Sequence, residues 1–98
     1  MRILYGRENQ DGEFRLRQID RAMPGESQAD AIIRAASEYF EVPFDKKTAF
    51  FRCKNGKNHG GSIGRFRYRW NEQWDAKNGG ALFVETKKNL WVFETRNE

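Results

Sequence analysis

Residues 27–41 restrict this chain more than any other stretch. Ala29, Ile32, Ile33, Ala36 and Phe40 recur at helical spacing, while Asp30, Arg34, Ser37, Glu38 and Glu41 fill the other side. Such a pattern makes one amphipathic helix with a single apolar stripe. Ser27 stands before it with Asp30 three residues on, a capping box with Asp in place of Glu or Gln. Pro43 disfavours α geometry at Val42, so the helix stops near Glu41. A stripe of this kind has to be buried against another layer, and the rest of the chain offers mainly strands.

Those strands announce themselves by alternation and by turns. Asp11-Gly12 marks a turn between segments near 2–7 and 13–21, the second containing Phe14-Arg15-Leu16-Arg17. Pro24-Gly25 ends that hairpin. Thr48 to Cys53 is short and aromatic and reads as a strand, with Phe50 and Phe51 on opposite faces. Residues 55–64 include four glycines and read as a flexible loop. Arg65 to Trp70 alternates without a break, Asn78-Gly79-Gly80 is a turn, and 81–86 and 90–95 close a last hairpin around Lys87-Lys88-Asn89. Leu82–Thr86 and Trp91–Thr95 look alike because both are strands of one hairpin with similar burial. The order is β-β-α-β-β-β-β: an α+β fold, with a single helix on one face of an antiparallel sheet and the other face open to solvent or a partner. No linker divides residues 1–98, so they make a single domain.

Composition narrows the function classes. One cysteine, Cys53, cannot staple the chain, which points to a reducing, cytoplasmic setting. The first residues lack a signal-peptide apolar stretch, and no run approaches the roughly 20 apolar residues that a membrane span needs. Charge is unevenly placed: residues 24–45 carry −4 and residues 46–74 carry +7, against +4 for the whole chain. A segment holding more than the net charge predicts an anionic partner, either nucleic acid or an acidic protein surface. Glu26, Asp30, Glu38, Glu41 and Asp45 predict an acidic helix side, mostly solvated or serving as a second contact surface.

Arg65, Arg67 and Arg69 should line one face of their strand about 6–7 Å apart, close to the phosphate spacing of one nucleic-acid strand. Arginine takes phosphate oxygens bidentately and stacks on bases. Arg15 and Arg17 follow the same logic in the first hairpin. Lys54 and Lys57 add charge to the glycine-rich loop, whose backbone could approach an anion. That loop has no Walker or dinucleotide pattern, and a plain hairpin connection explains its glycines equally well. Tyr68, Trp70 and Trp74 would stand near bases, although any one tryptophan is more often core. His59 is the sole histidine and could be a general base, with no identifiable acid–base partner. No cofactor motif and no metal-ligand spacing is present.

Three functions follow. The first is a small basic nucleic-acid-binding domain. The second is a non-enzymatic inhibitor or adaptor, of the kind that phage and mobile elements direct against a host protein or nucleoprotein complex. The third is a small endoribonuclease using His59. A homodimer through an edge strand fits a sheet this small.

Overall fold

The computed structural model describes residues 1–97. Among them, six strands make one antiparallel sheet, in the order β2-β1-β6-β5-β4-β3. They are β1 (Arg2–Arg7), β2 (Arg17–Arg21), β3 (Gly61–Ile63), β4 (Phe66–Asn71), β5 (Ala81–Glu85) and β6 (Leu90–Arg96). Helix α1 (Gln28–Phe40) and a helical turn α2 (Lys46–Ala49) carry the chain from the β2 edge to the β3 edge. The α+β class and the antiparallel sheet are as predicted. The order is not: it runs β-β-α-α-β-β-β-β.

The difference lies at residues 46–63. Thr48 to Cys53 is not a strand. The Asp45 carboxylate accepts the Thr48 amide at 2.9 Å and closes a helical turn, so a local cap outweighs the β-propensity of the aromatics. The alternation of the two phenylalanines survives: Phe50 stacks on Trp70 at 4.9 Å, while Phe51 is 55% exposed. The third strand is instead Gly61–Ile63, inside the stretch that reads as a loop.

Helix α1 begins and ends where its local signals place it. Ser27 accepts the Asp30 amide at 3.1 Å, and Glu41 terminates the helix in a left-handed conformation with φ 55°. Ile32, Ile33 and Ala36 face the sheet and meet Tyr5, Tyr68, Trp70, Leu82, Val84 and Phe93. Burying Ile32 and Phe93 completely contributes roughly 1.5–3 kcal/mol each. Arg34, on the polar side, takes Glu26 and Asp20 at 2.8 Å and Glu38 at 3.4 Å. Asp30 pairs with Lys46 at 3.2 Å and Asp45 caps α2, so most of the acidic segment is engaged within the molecule.

The face away from α1 is only half open. Residues 8–16 fold over β1 and β6. Gly6 allows this, because a Cβ there would lie 2.8 Å from the Arg15 carbonyl oxygen. Phe14, Trp74 and Phe83 then form an aromatic cluster, with centroids 5.4 Å apart for Phe14–Trp74 and for Trp74–Phe83. Beneath it Glu94 is 1% exposed and accepts the Trp74 indole N–H at 2.8 Å. Among the described residues, Arg67 and Arg69 of β4, Glu85 of β5 and Leu90 of β6 border the open part of this face.

Candidate functional site

The basic residues separate into two surfaces. The first lies at the end of the sheet where β6 begins. Arg7 stands directly opposite Trp91 across β1 and β6, and Arg17 opposite Tyr5 across β1 and β2. Arg7, Arg15 and Arg17 line a cleft of about 370 Å³ together with Tyr5, Tyr39 and Trp91. A second cleft, of about 530 Å³, opens on the other side of Trp91 between Arg65 and the β5–β6 turn with Lys87 and Lys88. Trp91 is half-buried and rests edge-on against Phe40, with centroids 4.9 Å apart. Among the described residues, no carboxylate lines either cleft, and none of the six cations is in an ion pair.

Within the first cleft the Arg17 guanidinium donates to the Tyr5 hydroxyl at 2.8 Å, and the hydroxyls of Tyr5 and Tyr39 are 3.1 Å apart. The hydrogen bond with Tyr39, and after it the Arg17 guanidinium, hold the Tyr5 hydroxyl below the ordinary phenol value. Tyr39 moves the other way, pushed up by the same hydrogen bond. Two hydroxyls and the Arg17 guanidinium therefore meet in a cleft that Arg7 and Arg15 also line, a set of residues suited to an oxyanion.

Arg65 does not share a face with Arg67 and Arg69. Ile63 pairs with Phe66, leaving Gly64 and Arg65 as a two-residue turn, with Gly64 at φ 58°. Freed from strand alternation, Arg65 folds back over the Phe66 ring at 5.1 Å, on the α1 side.

The second surface is the uncovered part of the far face. Arg67 and Arg69 project there from β4, and the Arg69 guanidinium lies 5.2 Å from the Phe83 centroid. Arg67 is paired in register with Glu85 on β5. His59 joins them: His59, Arg67, Arg69, Phe83 and Glu85 line one cavity of about 140 Å³. Lys57 lies in a neighbouring cleft beside Arg69, and Lys54 is exposed in the turn before it.

The glycine-rich segment is a pinned turn. The Cys53 amide donates to the Lys57 carbonyl at 3.0 Å, and the Asn58 amide group donates to the Trp70 carbonyl at 2.7 Å. The His59 amide donates to the Phe51 carbonyl at 2.6 Å. Gly60, at φ 69°, presses on β4 so closely that a Cβ would be 2.1 Å from the Tyr68 carbonyl oxygen. His59 is thus fixed between two anchors beside Arg69.

The three residues expected near bases line neither cleft beside Trp91. Tyr68 is buried, and its hydroxyl accepts the Asp45 amide at 3.1 Å. Trp70 is buried against Phe50. Trp74 is half-buried over Glu94. Arg7, Tyr39, Glu85, Lys87, Lys88 and Trp91 line the clefts without having stood out in the sequence. The Lys87-Lys88 turn followed by Trp91 was the one local signal for them.

Among the described residues, no group of three or more His, Cys, Asp or Glu could hold a metal ion, and no helix is long and apolar enough to cross a membrane. No family model, curated protein or solved structure matches this chain.

Proposed function

We propose that this chain binds the backbone of single-stranded nucleic acid through the two clefts that meet at Trp91. One observation carries the reading. Six cations from four separate parts of the chain line the two clefts beside one half-buried indole, and among the described residues they have neither an ion-pair partner nor a carboxylate in the lining. Cations on an ordinary solvated face are usually interspersed with acids, and this grouping is not. Arginines beside an aromatic ring suit a strand whose phosphates take the charge and whose bases stack. Arg7, Arg15, Arg17 and Arg65 contact phosphates, with Lys87 and Lys88 behind them, and Trp91 serves as the platform. Lys54, Lys57, Arg67 and Arg69 stand apart from this interface.

The test is a titration with labelled single- and double-stranded DNA and RNA at two salt concentrations, beside the Arg7→Ala/Arg15→Ala/Arg65→Ala triple variant. The wild type binds single strands best and weakens with salt, since each phosphate contact releases counterions. Loss of three contacts flattens the salt dependence by roughly two log units per log unit of salt on single strands. Absence of binding to all four ligands at low salt overturns the reading.

A further inference from the structure

We infer that the cavity between His59 and Glu85, on the face opposite α1, is an RNA-cleaving site that works by attack of the ribose 2′-hydroxyl. The inference goes beyond the binding reading and uses none of its residues. It rests on what the fold brings together. His59 and Glu85 are 26 positions apart in the chain, yet they line the same small cavity, with Arg67 and Arg69 between them. A base, an acid and two cations are the full set that RNA transesterification needs.

Each group has a place in that chemistry. Glu85 is half-buried on β5, opposite Arg67 in the sheet, and as a carboxylate it can only accept. It takes the proton from the 2′-hydroxyl as that oxygen attacks phosphorus. The P–O5′ bond breaks, and the His59 imidazolium gives its proton to the departing 5′ oxygen. Arg67 and Arg69 project from one strand face and oppose the charge that builds on the non-bridging oxygens. The products are a 2′,3′-cyclic phosphate and a 5′-hydroxyl, and both protein groups recover by proton exchange with water. No oxidant, nucleotide or other co-reactant enters.

Two further features fit. His59 is held in place by the Phe51 carbonyl on one side and by the tight seat of Gly60 on the other, so the imidazole starts from a fixed backbone. The Phe51 ring is 55% exposed and stands edge-on to His59 at 6.3 Å. An exposed phenylalanine beside the acid offers the base next to the scissile phosphate a stacking surface.

The experiment incubates the full chain with a labelled single-stranded RNA of mixed sequence, in excess EDTA, with the DNA of the same sequence and the 2′-O-methyl RNA as controls. His59→Ala and Glu85→Gln proteins are run beside the wild type, their folding checked by thermal melting and their RNA retention by filter binding. The expected result is RNA fragments ending in 2′,3′-cyclic phosphate, with DNA and the 2′-O-methyl strand intact. Each variant should lose roughly 100- to 10,000-fold in cleavage while melting and retention stay as in the wild type. Wild-type protein that cleaves no faster than either variant overturns the proposal, as does cleavage of the 2′-O-methyl strand. Failure of the binding reading looks different: cleavage would persist while retention at Trp91 was absent.

Discussion

The two basic surfaces of this molecule use the same residue types in opposite company. Arg7, Arg15 and Arg17 on one side of Trp91, and Arg65, Lys87 and Lys88 on the other, have no carboxylate in the lining among the described residues. Around His59, Arg67 and Arg69 share their cavity with Glu85. A cluster of cations alone supplies a field and hydrogen-bond donors, which suffices to hold a polyanion. Cations with an acid and an imidazole also supply proton acceptors and donors, which suffices for chemistry on a bound phosphate. The comparison teaches that net charge, +7 in residues 46–74, says little until the fold decides which neighbours each charge receives.

The most drastic way to break the comparison is Gly60→Ala. The new methyl group would meet backbone at 2.1 Å, and its φ of 69° is one that L-residues rarely adopt. Segment 58–60 must then move off β4, at a cost of roughly 2–4 kcal/mol. RNA cleavage should fall by at least about a hundredfold as His59 leaves Arg69 and Glu85. Retention at the Trp91 clefts should be unchanged at a temperature where the variant remains folded. Equal loss of both activities would show that the two surfaces are not independent.

The converse variant is Arg7→Ala/Arg15→Ala/Arg65→Ala, which should weaken single-strand binding roughly 10- to 100-fold at low salt. Cleavage of a dinucleotide should be unchanged, because none of the three substituted residues lines the His59 cavity. A parallel drop in dinucleotide cleavage would place both functions on one continuous surface.

Legibility in the sequence followed the range of the interactions. Helix α1 could be read because its cap at Ser27, its stripe and its stop at Pro43 are all local. The strand expected at Thr48–Cys53 failed because the Asp45 side chain, three residues upstream of Thr48, competes for the same backbone. Segment 46–74 looked like one basic surface, and the fold disperses it. Lys46 goes to Asp30, Arg52 to Glu72, Arg65 to the α1 side, and Arg67 and Arg69 to the far face. Inward-pointing Tyr68 and Trp70 follow from alternation alone, and placing them near bases conflicted with the outward arginines between them. Arg7 and Trp91 meet only through the pairing of β1 with β6, and His59 and Glu85 only through the β3-β4-β5 meander. Pairings at such separations leave no local trace.

Trp91→Leu sharpens the comparison by separating stacking from charge. Leucine keeps an apolar contact with Phe40 and removes the indole face. Single-strand affinity should fall about tenfold, within the roughly 1–3 kcal/mol that base stacking contributes. The salt dependence should stay as steep as in the wild type, because no phosphate contact is lost. A flatter salt dependence would mean that Trp91 orders the arginines instead of receiving a base.

The smallest effect concerns a second carboxylate on the far face, and it tests how much the cover over that face matters. Glu85 lies in the open half; Glu94 lies under Trp74 and Phe14. Burial, above all, pushes the Glu94 carboxyl up from its ordinary 4.5, against the pull of the Trp74 N–H and of Arg96. The folded chain therefore holds this proton more tightly than the unfolded chain. The resulting stabilisation is complete below the unfolded value and is lost as pH rises through the higher folded value. Glu94→Gln has no proton to lose, and its amide can still accept from Trp74. Its stability relative to the wild type should increase from pH 4 to pH 7, read from urea midpoints at each pH with the slope of unfolding unchanged. Cleavage and strand binding should both match the wild type. A stability gap that is constant or narrows with pH would mean that water reaches Glu94 freely and that residues 8–16 do not seal the face; the aromatic cluster would then no longer explain why the open half around Glu85 is left for chemistry.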